Sequence, residues 1–370
     1  MKVIGIGAAG NKAVWSAIET TLEENQVLLM NSTAKDFPKQ ATSQCVLISN
    51  VGGCGKERDF GKEIMQEYLS DQSRVNKLFN EFIKEEGEHI IIVTSTGGGT
   101  GSGASIPLAK YIHDKFAADV TVIGFKGFGD DLRELENTIG FLKDVPKDVV
   151  IQLVDNNAFD LDDKLEAQRL ANVEVARRIG LLSGGLLVSS HQNIDSTDLY
   201  KLVTTPGYQQ IESSYLGKVK NREDINKVLK KMIDNSKGLP TVPSSKSLGV
   251  IYNVEPETAE YIDMSHTFLK EKYGATLEVF THVQHPEQSG DDNEWVAVIA
   301  SGGKMPMREL QSLYTSYLQL EERVDKTDDE FFNTVNKIEL GSIGSRARRK
   351  RGPVPKSNGT FTPNETKESF

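Results

Sequence analysis

The sequence of 370 residues has little cysteine and no long apolar run, and these two shortages exclude several classes of protein. Its two cysteines, Cys45 and Cys54, lack a CxxC partner, so neither a disulfide framework nor a structural zinc site is expected. No segment approaches the roughly 18 consecutive apolar residues of a membrane helix. Glycines interrupt the start, MKVIGIGAAG, which is better explained by a strand entering a loop than by a signal peptide. We therefore expect a cytoplasmic protein that does not bind a membrane.

The net charge of −10 is distributed unevenly along the chain. The segment 342–370 has seven basic and two acidic residues, a net charge of +5, so the preceding part carries −15. An acidic surface repels phosphates, so contact with nucleic acid is expected only at the basic segment. Its Gly, Pro, Ser, Asn and Arg content cannot support a core, which predicts a disordered tail.

In the first 155 residues, short β-branched runs alternate with amphipathic segments. Buried strands are predicted at 3–6, 27–30, 45–48, 90–94, 120–125 and 149–154. Helices are predicted near 10–24, 58–86, 101–117 and 131–143. This alternation with continuously apolar strands is typical of a parallel sheet covered on both faces, so the predicted fold class is α/β with a Rossmann-like sheet.

The second half of the chain has a different pattern. A long helical segment is predicted from about 162 to 187, and a last helical stretch from 307 to 340 with a break near Thr327 and Asp328. Strands near 247–254, 276–283 and 294–300 surround a helix predicted at 256–273. Some links between these strands are too short for a crossover helix, so mixed or antiparallel pairing is expected.

Two glycine-rich loops follow predicted strands but fit familiar nucleotide motifs poorly. Gly5–Gly10 has the GxGxxG pattern of dinucleotide sites, yet Asn31 and Ser32 stand where that site needs an acidic residue for the ribose. The segment 50–57, NVGGCGKE, lacks the first glycine and the hydroxyl of the Walker pattern. A dehydrogenase and a kinase-type P-loop are therefore disfavoured, and 50–57 is either a loop near phosphates or a tight turn.

The third glycine-rich loop, Gly97–Gly103, is far more specific. Its sequence GGGTGSG follows the strand at 90–94 and precedes a helix, where a flexible linker is not expected. Five glycines in seven positions allow backbone conformations that other residues resist. Exposed amides at a helix N-terminus form an anion nest, to which Thr100 and Ser102 add hydroxyl donors.

GGGTGSG is the signature of the tubulin/FtsZ family of GTPases, which the chain resembles over residues 1 to about 340. Within this family, Gly52–Lys56 (GGCGK) is similar to a loop of the plasmid- and phage-encoded TubZ branch. The resemblance implies binding of GTP or GDP with Mg²⁺, GTP hydrolysis and head-to-tail assembly into filaments. It also implies the following division: a nucleotide-binding GTPase domain (1–160), a central connecting helix (161–188), a smaller α+β activation or C-terminal domain (189–303), a C-terminal helical region (304–341) and the basic tail (342–370).

The resemblance further implies which residues contact the nucleotide. For the base it implies Asn156 and Asn172, since an asparagine amide can match the hydrogen-bonding edge of guanine. For the ribose it implies Arg133 with Asp130 or Asp131, because Gly129 stands where the family has its acid. The implied phosphate contacts are Gly7, Ala8, Ala9, Asn11, Asn31, Gly52, Gly53, Gly97, Gly98, Gly99, Thr100, Gly101, Ser102 and Gly103.

The segment 191–198 (HQNIDSTD) resembles the catalytic loop of FtsZ-type proteins. The resemblance implies that Asn193, Asp195 and Asp198 act on the nucleotide of the neighbouring subunit. Asp195 or Ser196 is equally suited to cap a following helix, and both interpretations can hold together. His282 and His285 have no third ligand nearby, so a surface loop is preferred to a metal site, and no protein metal site is predicted.

The TubZ-like features favour segregation of plasmid or phage DNA through an adaptor protein bound to the tail 342–370. DNA itself would be contacted indirectly or through the same tail. A phage tubulin that positions replicating DNA and a divergent division GTPase are the alternatives within the family. A scaffold that has lost hydrolysis is disfavoured because Asp195 and Asp198 are both present.

Overall fold

The computed structural model describes residues 1–18, 21–41, 44–159, 161–188, 194–238, 244–274, 278–305 and 307–337, with side chains up to residue 324. Residues 1–322 form one compact unit and residues 323–370 a second. The predicted tail 342–370 lies outside the described residues. No helix among the described residues is both long and apolar enough to cross a membrane.

Within the described part of the chain, ten strands form one mixed sheet in the order β3-β2-β1-β4-β5-β6-β7-β10-β8-β9. The first six strands are mutually parallel, which confirms the predicted α/β sheet. They are β1 (Lys2–Ile6), β2 (Val27–Asn31), β3 (Cys45–Leu47), β4 (His89–Ser95), β5 (Asp119–Lys126) and β6 (Val150–Asp155). Apolar residues fill both faces of the central strands, since helices cover both sides.

The sheet continues without interruption into the second half of the chain. The four further strands are β7 (Gly207–Tyr215), β8 (Ser247–Asn253), β9 (Glu278–Gln284) and β10 (Trp295–Gly303). β7 pairs in parallel with β6, β10 runs antiparallel to β7 and β8, and β9 is parallel to β8. Mixed pairing is thus confirmed, whereas β7 was not predicted.

The helices agree with the predictions most closely in the first half of the chain. They are α1 (Gly7–Ile18), α2 (Arg58–Ser70), α3 (Gln72–Phe82), α4 (Gly99–Phe116), α5 (Leu132–Asp144), α6 (Lys164–Leu182), α7 (Ser196–Thr204), α8 (Arg222–Asp234), α9 (Pro256–Ala259), α10 (Thr267–Tyr273), α11 (Pro286–Ser289) and α12 (Met307–Lys337). α6 corresponds to the predicted long central helix.

Three predicted helices differ from the structure. The helix predicted at 58–86 is two helices, because Asp71 ends α2 and its carboxylate accepts the Arg74 N–H as the cap of α3. The helix predicted at 256–273 is the two short helices α9 and α10. The break predicted near Thr327 and Asp328 is absent, since α12 continues to Lys337.

Candidate functional site

Two adjoining cavities lie along the edge of the sheet where the parallel strands β1, β2, β4 and β5 end. The first, of about 370 Å³, is walled mainly by glycine-rich loops and is called here the glycine cavity. The second, of about 260 Å³, is walled by Asn156 and Asn172 among others and is called the asparagine cavity. Ala8, Ala9 and Ser95 line both cavities, so together they form one cleft.

The glycine cavity brings together loops from four strands. Predicted residues in its wall are Gly7, Ala8, Ala9, Asn31, Gly52, Gly53, Gly98, Gly99, Thr100 and Gly101. Gly7 has a φ of +74°, and a Cβ there would lie 3.1 Å from the Gly101 nitrogen, so only glycine allows this close approach. α4 begins at Gly99 in the same wall, and its first N–H groups favour an anion.

Thr100 ties three of these loops together. Its hydroxyl lies 2.7 Å from the Ser32 hydroxyl and 3.3 Å from the Cys54 sulfur. Thr100 is the second residue of α4, Ser32 follows β2, and Cys54 lies on the loop after β3. These contacts connect the three loops.

Asn31 has an amide group that the protein leaves unpaired. Its Oδ1 accepts the Ser32 N–H at 2.8 Å, while its buried Nδ2 has no hydrogen-bond partner. The side chain is only 1% exposed and lines the glycine cavity. A buried donor without a hydrogen-bond partner costs about 1–3 kcal/mol of stability. The Asn31 amide nitrogen is therefore suited to donate to an acceptor that enters the cavity, such as a phosphate oxygen.

The asparagine cavity has a matching feature on its floor. Asn156 directly follows β6 and is 8% exposed, and its buried Oδ1 has no partner. Asn172, half-buried on α6, lines the same cavity. Phe125 and Phe128 add apolar wall, so the cavity offers an unpaired acceptor beside surfaces that suit a flat ring.

Six of the predicted nucleotide contacts line neither cavity. Three of these six pack inside the protein. Asn11 is fully buried and donates to the Met30 carbonyl at 3.3 Å. The Ser102 hydroxyl donates back to the Gly98 carbonyl, one turn earlier in α4. Gly103 packs against α2, where a Cβ would lie 2.2 Å from the Arg58 carbonyl oxygen.

The other three are Gly97 on the loop after β4, Asp130 on the loop before α5 and Arg133 in the first turn of α5. Gly97 accepts a hydrogen bond from the Asn137 side chain at 2.9 Å. Asp130 forms an ion pair with Lys164, and Arg133 forms one with Glu57. Both pairs are exposed, and the contact of Asp130 and Arg133 with a ribose stays a prediction.

A charged cluster that the sequence did not reveal joins the 52–57 loop to α5. Lys56, at φ +63°, lies 2.7 Å from Asp131 and 2.8 Å from Glu134, which itself lines the asparagine cavity. The hydrogen bond from Lys56 holds the pKa of the Asp131 carboxyl below its usual value. Asp131 also caps α5, so one carboxylate fixes both the helix start and the loop.

Other wall residues were not predicted because no motif names them. They are Ile6, Thr33, Lys35, Asp36 and Ser95 in the glycine cavity and Lys12, Ser95, Phe125, Gly127, Phe128, Glu134 and Gln168 in the asparagine cavity. All lie within five positions of a predicted residue, at the end of a strand or in the loop or helix that follows it. Position at the carboxyl end of a parallel strand was the available signal.

The predicted catalytic carboxylates lie at the opposite edge of the sheet. Asp195 caps α7, where its Oδ1 accepts the Asp198 N–H at 2.8 Å, so the capping interpretation is confirmed. Further along α7, the Tyr200 hydroxyl lies 2.7 Å from the Gly87 carbonyl oxygen and contacts Asp119, the first residue of β5. Asn193 lies outside the described residues.

The length of β5 separates the two sets of residues. Both cavities are formed by loops at the carboxyl ends of the parallel strands, whereas α7 contacts their amino ends. A strand of eight residues spans about 25 Å, and Asp195 is about 7.5 Å of helix away from Tyr200, so the carboxylates lie well away from the cleft of their own chain.

His282 is not in a surface loop as expected. It is 2% exposed on β9, and burial lowers the pKa of its imidazole. His285 is half-buried and lies 2.8 Å from the Val254 carbonyl oxygen.

Comparisons with known proteins agree with this geometry. No family model matches the chain. Tubulin-like protein CetZ2 of Haloferax volcanii is 27% identical over 282 residues, which cover 69% of this chain and 76% of that protein. Cell division protein FtsZ of Wigglesworthia glossinidia brevipalpis is 24% identical over 399 aligned positions, covering 100% of this chain and 93% of that protein.

Solved structures give the same fold. A GTPγS-form protofilament of Bacillus thuringiensis serovar israelensis TubZ superposes with a TM-score of 0.72 at 15% identity, covering 90% of this chain and 94% of that one. With residues 98–101 of the glycine signature in the wall of the cleft, the chain is similar in sequence and in fold to the tubulin/FtsZ family of GTPases.

Proposed function

We propose that this tubulin/FtsZ-like GTPase hydrolyses GTP in filaments, where one subunit completes the site of the next. The observation that carries the proposal is the separation of the two halves of the site. Asp195 and Asp198 belong to α7, which contacts the amino ends of β4 and β5 through Tyr200, and the cleft lies at the carboxyl ends of these strands. Stacking subunits head to tail brings one edge against the other. Because such a contact is heterologous and does not close, it produces a filament.

The cleft fits a guanine nucleotide in both of its parts. The N-terminus of α4 and the unpaired Nδ2 of Asn31 are donors for phosphate oxygens in the glycine cavity. The unpaired Oδ1 of Asn156 can accept from the N1–H or the amine of guanine, whereas adenine presents an acceptor at N1. The base therefore belongs in the asparagine cavity.

Mg²⁺ fits the glycine cavity as a partner of the phosphates. Asp36 supplies a carboxylate in its wall, and oxygen ligands from phosphate and water complete the set that Mg²⁺ prefers. A bound Mg²⁺ would neutralise charge that develops on the phosphates during transfer. The carboxylates of Asp195 and Asp198 of the next subunit would orient the attacking water and accept its proton.

The decisive variant is Asp195→Asn, because asparagine keeps the cap of α7 while it removes the carboxylate. We expect unchanged GTP affinity, turnover about 100-fold lower and filaments that persist after assembly. Asp163→Asn is the matched control, since Asp163 caps α6 in the same way. Wild-type turnover per subunit should also rise with protein concentration. Normal hydrolysis by Asp195→Asn, or a rate per subunit independent of concentration, would show that one chain holds a complete site.

For the biological role, we propose movement of plasmid or phage DNA through an adaptor protein that binds the tail 342–370. The support is the charge of +5 on this tail against −15 on the rest of the chain, together with the TubZ structures among the neighbours. A cation-rich segment can be held by an acidic adaptor surface or by DNA phosphates. Positioning of replicating phage DNA and a division role like that of the FtsZ relatives are the alternatives.

A further inference from the structure

The chain on either side of residues 189–193, which lie outside the described residues, is bonded to the same strand. Before this segment, the Val188 N–H donates to Gln284 Oε1 at 3.0 Å. After it, the Ile194 N–H donates to His282 Nδ1 at 3.4 Å. His282 and Gln284 are two residues apart on β9 and point to the same face of the sheet. Asp195 directly follows Ile194.

Gln284 uses the whole hydrogen-bonding capacity of its amide. Oε1 accepts from Val188 N–H and from His282 Nε2, each at 3.0 Å. Nε2 donates to the Leu186 carbonyl at 3.2 Å and to Asn253 Oδ1 at 3.3 Å. Four bonds exhaust its two donors and two lone pairs, which fixes the orientation of the amide.

This orientation also fixes the state of His282. Because Gln284 Oε1 is an acceptor, the imidazole proton lies on Nε2, and Nδ1 keeps the lone pair that accepts the Ile194 N–H. Burial, which lowers the pKa of His282, favours the same neutral state. The pair therefore holds the backbone at the start of α7 in one arrangement.

The burial of His282 and Gln284 indicates a role beyond packing of the sheet. His282 is 2% exposed and Gln284 is 0% exposed, although β9 could fill these positions with apolar side chains. The rest of α7 has its own contacts, Tyr200 with Gly87 and Lys201 with Glu278 at 2.6 Å. The His282 bond reaches Ile194, the residue before Asp195, and the Gln284 bonds reach Leu186 and Val188 on the other side of residues 189–193.

We infer that His282 and Gln284 are positioning residues, which hold Asp195 where it can act on the nucleotide of the neighbouring subunit. The inference rests on the proposed function. The two side chains touch no nucleotide; they act through the backbone of Val188 and Ile194. Their loss should lower turnover in filaments without lowering the affinity for nucleotide.

The test compares His282→Leu with His282→Asn. Asparagine places Oδ1 near the position of Nδ1 and can accept the Ile194 N–H, whereas leucine cannot. We expect His282→Leu to lower turnover per assembled subunit by about 10-fold or more, because a misplaced catalytic group costs a rate of this order. GTP affinity of the monomer and the critical concentration should stay within about twofold of wild type, and His282→Asn should recover most of the rate. Thr281→Val, which removes a β9 hydroxyl bonded to His266, is the control and should be neutral.

Each outcome decides the inference. Equal rates for the leucine and asparagine variants, or a raised critical concentration with unchanged turnover per assembled subunit, would overturn it. Gln284→Met keeps the volume of its side chain and carries the same expectation if His282→Leu does not fold. If Asp195→Asn lowers GTP turnover while His282→Leu leaves it at the wild-type rate, only the positioning role is refuted. If Asp195→Asn itself turns over GTP at the wild-type rate, the proposed function is refuted.

Discussion

At the scale of single residues, unpaired buried polar atoms are the strongest indications of a ligand. The protein pairs most of its buried polar groups, yet it leaves Asn31 Nδ2 and Asn156 Oδ1 without partners in the walls of the two cavities. A native fold tolerates such groups where a ligand satisfies them. One atom is a donor and the other an acceptor, which suits phosphate at one end of the cleft and a base N–H at the other.

Asn156 should therefore set the choice of nucleotide. We expect the wild type to prefer GTP over ATP by about 100-fold or more, since a mismatched buried site loses a few kcal/mol. Asn156→Ala should remove most of this preference, mainly by weakening GTP binding. Affinities for both nucleotides, measured on monomer, check this expectation. Asn25→Ala, an exposed asparagine bonded to Glu23, should leave the preference intact. Equal affinities in the wild type would refute the base assignment.

The burial of His89 predicts that the free energy of unfolding depends on pH. His89 is fully buried at the start of β4, bonded to the Thr121 hydroxyl at 2.8 Å, and burial lowers its pKa to about 3. The native state keeps His89 neutral, whereas the unfolded chain binds a proton below pH 6.5, so stability is lost as the pH falls through 6.5. Between pH 7.5 and 5.5 this residue should cost about 1.4 kcal/mol of unfolding free energy. His89→Gln should remove that part of the loss in denaturant titrations; identical losses in both proteins would contradict it.

At the scale of elements, the close packing of α2 against α4 positions the N-terminus of α4, where the anion nest is predicted. Cβ atoms at Gly61 and Gly103 would lie 2.3 Å from the Gly99 carbonyl and 2.2 Å from the Arg58 carbonyl, respectively. Both contacts are with backbone, which cannot yield as a side chain can. The two glycines thus let α2 press against the first turns of α4, whose N-terminus walls the glycine cavity.

Gly103→Ala should force the two helices apart. We expect a loss of unfolding free energy of about 3 kcal/mol or more and weaker GTP binding, since overpacking against backbone cannot relax locally. Gly140→Ala on α5 is the matched control, because its Cβ would lie 3.4 Å from the Arg58 side chain, an ordinary contact. That change should be neutral or stabilise by about 0.5–1 kcal/mol. Similar effects of the two substitutions would show that the crossing is not tight.

At the scale of the whole molecule, the two functional edges of the sheet are far apart, and the basic tail is a separate feature of the chain. In the proposed function, hydrolysis needs Asp195 of the neighbouring subunit, whereas the tail 342–370 is distinguished by its charge of +5. Assembly and cargo binding should therefore be separable by deletion.

Removal of 342–370 should leave assembly and GTP turnover nearly unchanged while it removes recruitment of an adaptor–DNA complex. Filament sedimentation with and without the complex, at several salt concentrations, measures both effects. Recruitment by the full chain should weaken as salt rises, since the contact is ionic. Replacement of Arg346, Arg348, Arg349, Lys350 and Arg351 by glutamine is the control for length and should resemble the deletion. A truncated protein unable to assemble would place the tail in the filament lattice.

The sequence by itself determined the parallel half of the sheet and predicted the loops that line the glycine cavity. β1, β2, β4, β5 and β6 lie within two residues of their predicted bounds, because fully buried parallel strands are continuous apolar runs bounded by loops. The glycine signature could be recognised because its backbone conformations restrict the residue type.

Only the tertiary structure decided which polar residues are buried and what they serve. β7 was missed because its sequence GYQQIESSY is polar, yet Gln209 is buried by bonds to Gln152 on β6 at 2.7 Å and to Ser301 on β10 at 2.8 Å. His282 was misjudged for the same reason, since its partners come from a loop 88 residues earlier. Gly103 and Asn11, both predicted as phosphate contacts, pack against α2 and β2 and line neither cavity. Hydrogen bonds between segments that are distant in sequence offset the cost of burying polar groups. The sequence pattern around a polar residue does not show which distant segment will supply its partner.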